Sequence, residues 1–282
     1  MSEAVAMGGA AERIRITILG CGASPAVPRV GNDWGACDPS EPRNRRTRSS
    51  ILIDGFSSRG PYPTRVLVDT GPDLRAQLLD ARVDRLDAVL YTHAHADHTH
   101  GIDDLRAFWL DTRRLVPVYS DDATQERLEE AFAYCFRTPA GGSYPPILGR
   151  HRIEAGTRFL IDGPGGALDI LPFRQVHGDI DSLGFRIGDF AYSSDVSALP
   201  EETLPHLQGL SLWIVDALRY RPHPSHFSVA ESIAWHERLQ PRRTLFTHMH
   251  GDLDYRTLAA EVPSGIEPAH DGLVIELPLP RA

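Results

Sequence analysis

The sequence predicts an α/β protein in which packed β-sheets are flanked by helices. Short β-branched runs recur along the chain, stretches with helical apolar spacing fall between them, and no repeat of the helical-solenoid kind is visible. With 282 residues and 41% hydrophobic side chains, the chain can bury a large core. α/β folds of this length are commonly single domains, so residues 1–282 are expected to form one.

Residues 1–12 are small and polar and are expected to fray. Residues 14–19 alternate as a strand and run into a glycine-rich turn. The next stretch, to Arg48, is rich in Gly, Pro, Asn and Asp and reads as a long surface loop. It ends in Arg43, Arg45, Arg46 and Arg48, a cluster read as solvated in preference to phosphate-holding. Strands are expected at 50–54 and 65–69, the second ending at Asp69 before a Gly71 turn. Asp69 then has two open roles: an acceptor that orients the histidine loop described below, or the N-cap of a helix over 72–79. Further on come a short helix over 105–110, an edge strand over 116–119, an amphipathic helix over 123–133 and a Pro/Gly loop over 138–149. The second half repeats the alternation, with strands at 167–172, 184–187, 212–215 and 244–247 and a helix over 229–239.

The formal charge is −9, from 29 basic and 38 acidic residues. Affinity for a long nucleic acid rests on phosphate–cation contacts, so none is expected as a partner, although a small anion at a local positive site is compatible. No segment has the roughly 18 consecutive apolar residues of a membrane span, and the start does not read as a secretion signal, which makes the cytoplasm the expected location. Cys21, Cys37 and Cys135 are odd in number and widely spaced, so they read as free thiols. A homodimer is the default oligomer.

The chemistry concentrates after the apolar run 86–91, where His93, His95, Asp97 and His98 form H-x-H-x-D-H. Imidazole and carboxylate suit Zn²⁺ and related ions, and four such side chains within six positions can hold two of them. A solvated His-rich turn competes with this reading. The small residues between the ligands, the strand before them and the distance from either terminus weigh against it. Three more places put metal-ligand side chains at strand ends or turns: His177, Asp195 and the pair His248 and His250.

In this order and spacing the residues resemble the metallo-β-lactamase superfamily. The resemblance implies a four-layer αβ/βα sandwich in which His93, His95 and His177 bind one divalent ion and Asp97, His98 and His248 a second, with Asp195 bridging. His248 is chosen over His250 because it directly follows the strand residues Leu245 to Thr247. His100, His151, His206, His236 and His270 lack such a context.

Closer still is the resemblance to the phosphoribosyl cyclic phosphodiesterases that accompany carbon–phosphorus lyase. It is carried by L-G-C-G at 19–22, S-D-V-S-A-L-P-E at 194–201, T-H-M-H-G-D-L-D at 247–254, P-S-G at 263–265 and Asp271-Gly272. That family implies a general acid in the loop after the strand ending at Asp216, which falls on His226, with His223 as fallback. It also implies an extra structural zinc, but of that site's C-x-C-x-x-C pattern only Cys37 is present and Gly251 stands where its histidine belongs. No such zinc is expected here; packing, with Trp34 involved, is expected to hold the loop.

The implied reaction is hydrolysis of a small phosphodiester, whether cyclic, ribosyl or nucleotide. A hydroxide bridging two ions attacks phosphorus, Asp97 helps hold it, and His226 protonates the departing alkoxide. His/Asp ligands without Cys admit Zn²⁺, Mn²⁺ or Fe. Ribonuclease Z shares the ligand set but carries a tRNA-gripping arm between the equivalents of His177 and Asp195, which here lie only 18 positions apart. Thioester and lactone hydrolases lack the His226-type loop. A metal-loaded carrier, like the pyrroloquinoline-quinone biosynthesis relative, is the non-enzymatic alternative.

Overall fold

Alternation in the first strand sets the pattern for the molecule. In β1 (Arg13–Gly20), Ile14, Ile16 and Ile18 are fully buried on one face, while Arg13 and Arg15 lie on the other. The computed structural model describes residues 9–58 and 60–280. β1 joins β2 (Ser50–Phe56), β3 (Thr64–Val68), β4 (Ala88–Leu90), β5 (Val116–Ser120), β6 (Leu148–Arg152) and the last strand, β14 (Val274–Pro278), in a seven-stranded sheet of order β14-β1-β2-β3-β4-β5-β6. The second sheet has order β13-β12-β11-β10-β9-β8-β7. It is built from β7 (Phe159–Ile161), β8 (Leu168–His177), β9 (Ile180–Ile187), β10 (Phe190–Ser193), β11 (Leu212–Asp216), β12 (Thr244–Thr247) and β13 (Ile266–Pro268).

The inner faces of the two sheets share one core, in which Ile16, Ile53 and Val66 of the first sheet belong with Phe173, Phe185 and Ile214 of the second. Each such side chain contributes roughly 1.5–3 kcal/mol when fully buried. A second cluster lies outside the first sheet, where Leu52, Leu67 and Val89 meet Leu74 and Leu78 of α1 (Leu74–Asp80) and Leu128 of α4 (Asp122–Phe136). On the other side, Leu239 of α5 (Val229–Leu239) and Leu258 of α6 (Tyr255–Glu261) pack into the main core. The architecture is the αβ/βα sandwich. Ser228 starts α5 with a capping box, its hydroxyl accepting from Glu231 N–H while the Glu231 carboxylate accepts from Ser228 N–H.

Four expectations need correction. Of the fraying expected over residues 1–12, the part on residues 1–8 lies outside the described residues, and residues 10 and 11 are not frayed: Ala10 bridges to Ala167, and Ala11 is buried with its N–H donating to Ala167 O at 2.9 Å. β5 is not an edge, because β6 pairs alongside it in parallel register, Pro117 opposite Gly149. Only Leu148 of β6 is buried, so its solvent-facing charged residues resemble a loop in sequence.

The arginine cluster is not a solvated patch. Arg46 is fully buried, donating to Leu253 O at 2.6 Å, Asn44 Oδ1 at 3.2 Å and His250 O at 3.3 Å. Arg48 forks onto Asp73 at 3.1 Å, Arg43 pairs with the buried Glu41, and Arg45 lies over the Trp34 ring. The long loop is therefore held by Arg46 together with Asn44, whose Nδ2–H donates to Asp254 Oδ2 at 2.6 Å, and Thr47, whose N–H donates to Asp271 Oδ2 at 2.7 Å, whereas the Trp34 indole N–H stays within the loop, on Asn32 Oδ1 at 3.1 Å. Around Cys37, the sulfur lies 3.3 Å from Leu253 O and 3.5 Å from Gly251 O, and Ala36 N–H donates to Gly251 O at 2.8 Å. Gly35 permits this approach: at φ 61° its position has no room for a Cβ, which would stand 2.6 Å from Gly251 O.

Candidate active site

The site forms where β4, β8, β10, β11 and β12 end. β10, β11 and β12 run parallel, so their C-terminal ends, carrying Ser193, Asp216 and Thr247, open on the same edge of the sheet. Asp195 follows β10, His248 follows β12 and His177 closes β8. His93 and His95 lie in the loop after β4. Asp97 and His98 sit on the single turn of α2 (Ala96–Thr99).

The histidine loop is set by Asp69. Its φ of 65° turns the chain out of β3, and its buried carboxylate accepts Thr92 N–H at 2.8 Å, Thr92 Oγ1–H at 2.8 Å and His98 Nδ1–H at 2.7 Å. Of its two open roles the structure selects the orienting acceptor; the N-cap position of α1 belongs to Asp73. His93 Nδ1 meets Thr92 Oγ1 at 3.0 Å, and His177 Nδ1 donates to Ser225 O at 2.6 Å. In His93, His98 and His177 the Nδ1 atom is thus committed to a partner and Nε2 faces inward, the arrangement that fixes ring and tautomer in metal sites.

Two groups of side chains result: His93, His95 and His177, and Asp97, His98, Asp195 and His248. Either could hold a metal ion. Asp195 stands between them. Its Oδ2 lies 3.9 Å from His93 Nε2 and 3.7 Å from His177 Nε2, and its Oδ1 lies 3.1 Å from His98 Nε2 and 3.2 Å from His248 Nδ1.

A cation fits this set. His93 Nε2, His98 Nε2, His248 Nδ1 and Asp195 Oδ1 are buried polar atoms without a hydrogen-bond partner, a costly state unless something charged is shared among them. Asp195, only 2% exposed, has no Lys or Arg partner among the described residues; its neighbours are imidazoles and the second carboxylate, Asp97. The local field agrees. Burial tends to raise the Asp195 carboxyl, but His248 and His98 hold it well below the usual range. Burial pushes His93 well below its ordinary value and His248 down to about 3, leaving both neutral and able to ligate.

His226 adjoins both groups. Its ring stacks on His248 with centroids 4.8 Å apart and meets His177 edge-on at 4.7 Å. Its Nδ1 donates to Asp216 Oδ2 at 2.7 Å, an oxygen that also accepts Val196 N–H at 3.1 Å. Burial lowers the His226 imidazole, and the adjacent Asp216 carboxylate more than reverses this, raising it to about 9. His223 is further out, its ring 5.2 Å from that of His226 and its Nδ1 accepting Ser225 N–H at 3.3 Å. His250 is half-buried and pairs with Asp252 at 3.2 Å, apart from both groups. His100, against the Phe132 ring, also lies outside them.

Sequence reasoning overlooked two contributors. Asp216, the partner of His226, was visible only as the end of an apolar strand ten residues earlier. Ser24, whose hydroxyl donates to Asp97 Oδ2 at 2.6 Å, looked like an ordinary turn residue. No helix among the described residues is long and apolar enough to cross a membrane.

Several known proteins are similar to this chain. The crystal structure of a diphosphatase from the PhnP family is 34% identical, covering 95% of this chain and 98% of that one, with a TM-score of 0.84. An octanoyltransferase of Porphyromonas gingivalis is 32% identical over 265 residues, 92% of this chain but 51% of the relative. A ribonuclease Z of Bradyrhizobium diazoefficiens is 30% identical over 148 residues, 52% of this chain and 46% of the relative. The chain thus spans about half the length of these two curated relatives. Residues 64–249, which contain the H-x-H-x-D-H loop, His177, Asp195, His226 and His248, match the β-lactamase superfamily domain, and the chain belongs to that family, with the metallo-β-lactamase fold and a likeness to its PhnP branch.

Proposed function

We propose that this protein is a dinuclear-metal phosphodiesterase that hydrolyses a small phosphodiester. One observation carries the reading: Asp195 presents one carboxylate oxygen to each group of ligands, with the His226–Asp216 pair immediately beside them. His93, His95 and His177 would hold one ion, Asp97, His98 and His248 the other, and Asp195 both. Zn²⁺, Mn²⁺ and Fe all suit such a donor set. Two bound divalent ions supply Lewis-acid stabilisation at a phosphoryl group and an acidified water at neutral pH.

The chain's own residues supply the rest. Asp69 and Ser225 fix the ring orientations of His98 and His177. Asp216 holds the Nδ1 proton of His226 and favours the imidazolium, leaving the Nε2 proton as the one available to a departing alkoxide. An alkoxide is a poor leaving group and needs that proton; a nitrophenolate does not. The likeness to a PhnP-family diphosphatase supports phosphorus–oxygen chemistry. A ribonuclease Z-like role is less well supported, because His177 and Asp195 are joined directly through β9 and β10 with no inserted arm, and the net charge is −9.

Replacing His226 with Ala tests the acid role. Turnover of a diester with an alkyl leaving group should fall about 10²–10⁴-fold, and that of bis-nitrophenyl phosphate far less. Equal losses on both substrates would count against it.

A further inference from the structure

The turn after β1 reaches into the site from outside the histidine loop. Gly22 N–H donates to Thr47 O at 2.7 Å and Met249 N–H to Cys21 O at 2.9 Å, so the turn is laced to the arginine loop on one side and to the residue after His248 on the other. Ser24 is gripped in addition through its carbonyl, which accepts Arg48 Nε–H at 3.0 Å, while the same guanidinium is anchored on Asp73. From this fixed backbone the Ser24 hydroxyl donates to Asp97 Oδ2 at 2.6 Å, a short charge-assisted bond. That oxygen also lies 3.5 Å from His98 Nε2. Among the described residues, no hydrogen bond or ion pair joins a side chain of this turn to His93, His95 or His177.

We propose that Ser24 is a positioning residue that fixes the Asp97 carboxylate and thereby sets the divalent-cation affinity of the Asp97, His98, Asp195 and His248 group, but not that of the His93, His95 and His177 group. The inference rests on the dinuclear reading. Asp97 sits on a helix of a single turn, and a carboxylate with one oxygen already engaged loses less rotational freedom when it takes up an ion. Partners of this kind typically account for 10–100-fold in metal affinity.

The test is Zn²⁺ titration of the metal-free protein against a competing chromophoric chelator, for wild type, Ser24→Ala and Ser24→Thr. Ser24 is exposed, so threonine's added methyl has room. Wild type should show two affinities. Ser24→Ala should weaken one of them about 10–100-fold and leave the other within about twofold, and Ser24→Thr, which keeps the hydroxyl, should restore it. The metal-free melting temperatures of all three proteins, if alike, separate positioning from folding; a loss of affinity that tracks a lowered melting temperature, and that threonine does not rescue, overturns the proposal. So do unchanged affinities in Ser24→Ala, or an equal fall in both. A wild-type protein that takes up fewer than two ions instead refutes the dinuclear reading itself.

Discussion

Replacing Arg46 with Met keeps most of the side chain's stem and removes its guanidinium, which lies fully buried between the long N-terminal loop and the segment after His248. The 2.6 Å bond to Leu253 O is the strongest loss, because that carbonyl would retain only the weak thiol donor of Cys37. His250 O, at 3.3 Å, loses less, since Leu253 N–H still donates to it. A hydrogen bond from a charged group is worth roughly 1.5–3 kcal/mol, and relief of the guanidinium's own desolvation offsets part of the loss of three, of which the 3.2 Å bond to Asn44 Oδ1 weighs little because that oxygen still accepts Tyr255 N–H. The expected destabilisation is about 2–3 kcal/mol. For a chain of this size that corresponds to a melting temperature lower by roughly 4–12 °C. Urea unfolding followed by circular dichroism, with an unchanged m-value, measures it directly. A change within about 0.5 kcal/mol, the ordinary range for a surface site, would show that Arg46 is solvated after all and that something else holds the loop.

Other expectations follow from the same contacts. Asp69→Asn keeps the side chain's shape but replaces one acceptor oxygen with a donor facing Thr92 and His98; metal affinity should drop about 10–100-fold with the fold retained, and a chelator competition that finds no drop would contradict its orienting role. In the metal-free protein, the His226 imidazole should titrate by NMR well above its ordinary value, near about 9, so that it stays protonated through neutral pH and loses its proton only as the pH rises past that point. Asp216→Asn removes the larger raising carboxylate and leaves burial and His98, which lower, against Asp195, which raises, so the titration should fall clearly from that of the wild type; an unmoved titration would mean that Asp216 is not the cause. Gly35→Ala should destabilise the protein, because its left-handed φ and the 2.6 Å approach to Gly251 O leave no place for a methyl, and wild-type stability would show that the loop yields there.

Some of this molecule is legible in the sequence and some is not, for physical reasons. His93, His95, Asp97 and His98 are contiguous, so their spacing alone announces their chemistry. His177, Asp195 and His248 are scattered, and only the family resemblance singled them out as ligands; the expected strands stopped at 172 and 187, short of the ends of β8 and β10, and the structure brings the three residues to the same place. Helix α5 and strand β12 fall where the sequence puts them, because each has a clear apolar pattern between punctuating residues. Arg46 is different. Four arginines in a polar loop look alike in sequence, and what buries this one are carbonyls 204 and 207 positions further along. β6 carries its charged residues outward on a strand whose only buried residue is Leu148, so no alternation marks it, and β5 consequently looks like an edge. Asp69 was legible as important but not as to which role, since capping and orienting ask for the same carboxylate and only the fold decides which N–H groups reach it.

The phosphodiesterase proposal rests on the two groups of ligands joined by Asp195. The measurement that meets it most directly is an activity panel on protein reconstituted with two equivalents of Zn²⁺ or Mn²⁺, comparing bis-nitrophenyl phosphate, 2′,3′-cyclic nucleotides and ribosyl cyclic phosphates with thioester and lactone substrates. Turnover of at least one diester is expected, abolished by chelation and by Asp195→Ala, with the thioester and lactone substrates left intact. Fully loaded protein that cleaves a thioester or lactone and no diester, or that binds a diester tightly without cleaving it, would contradict it.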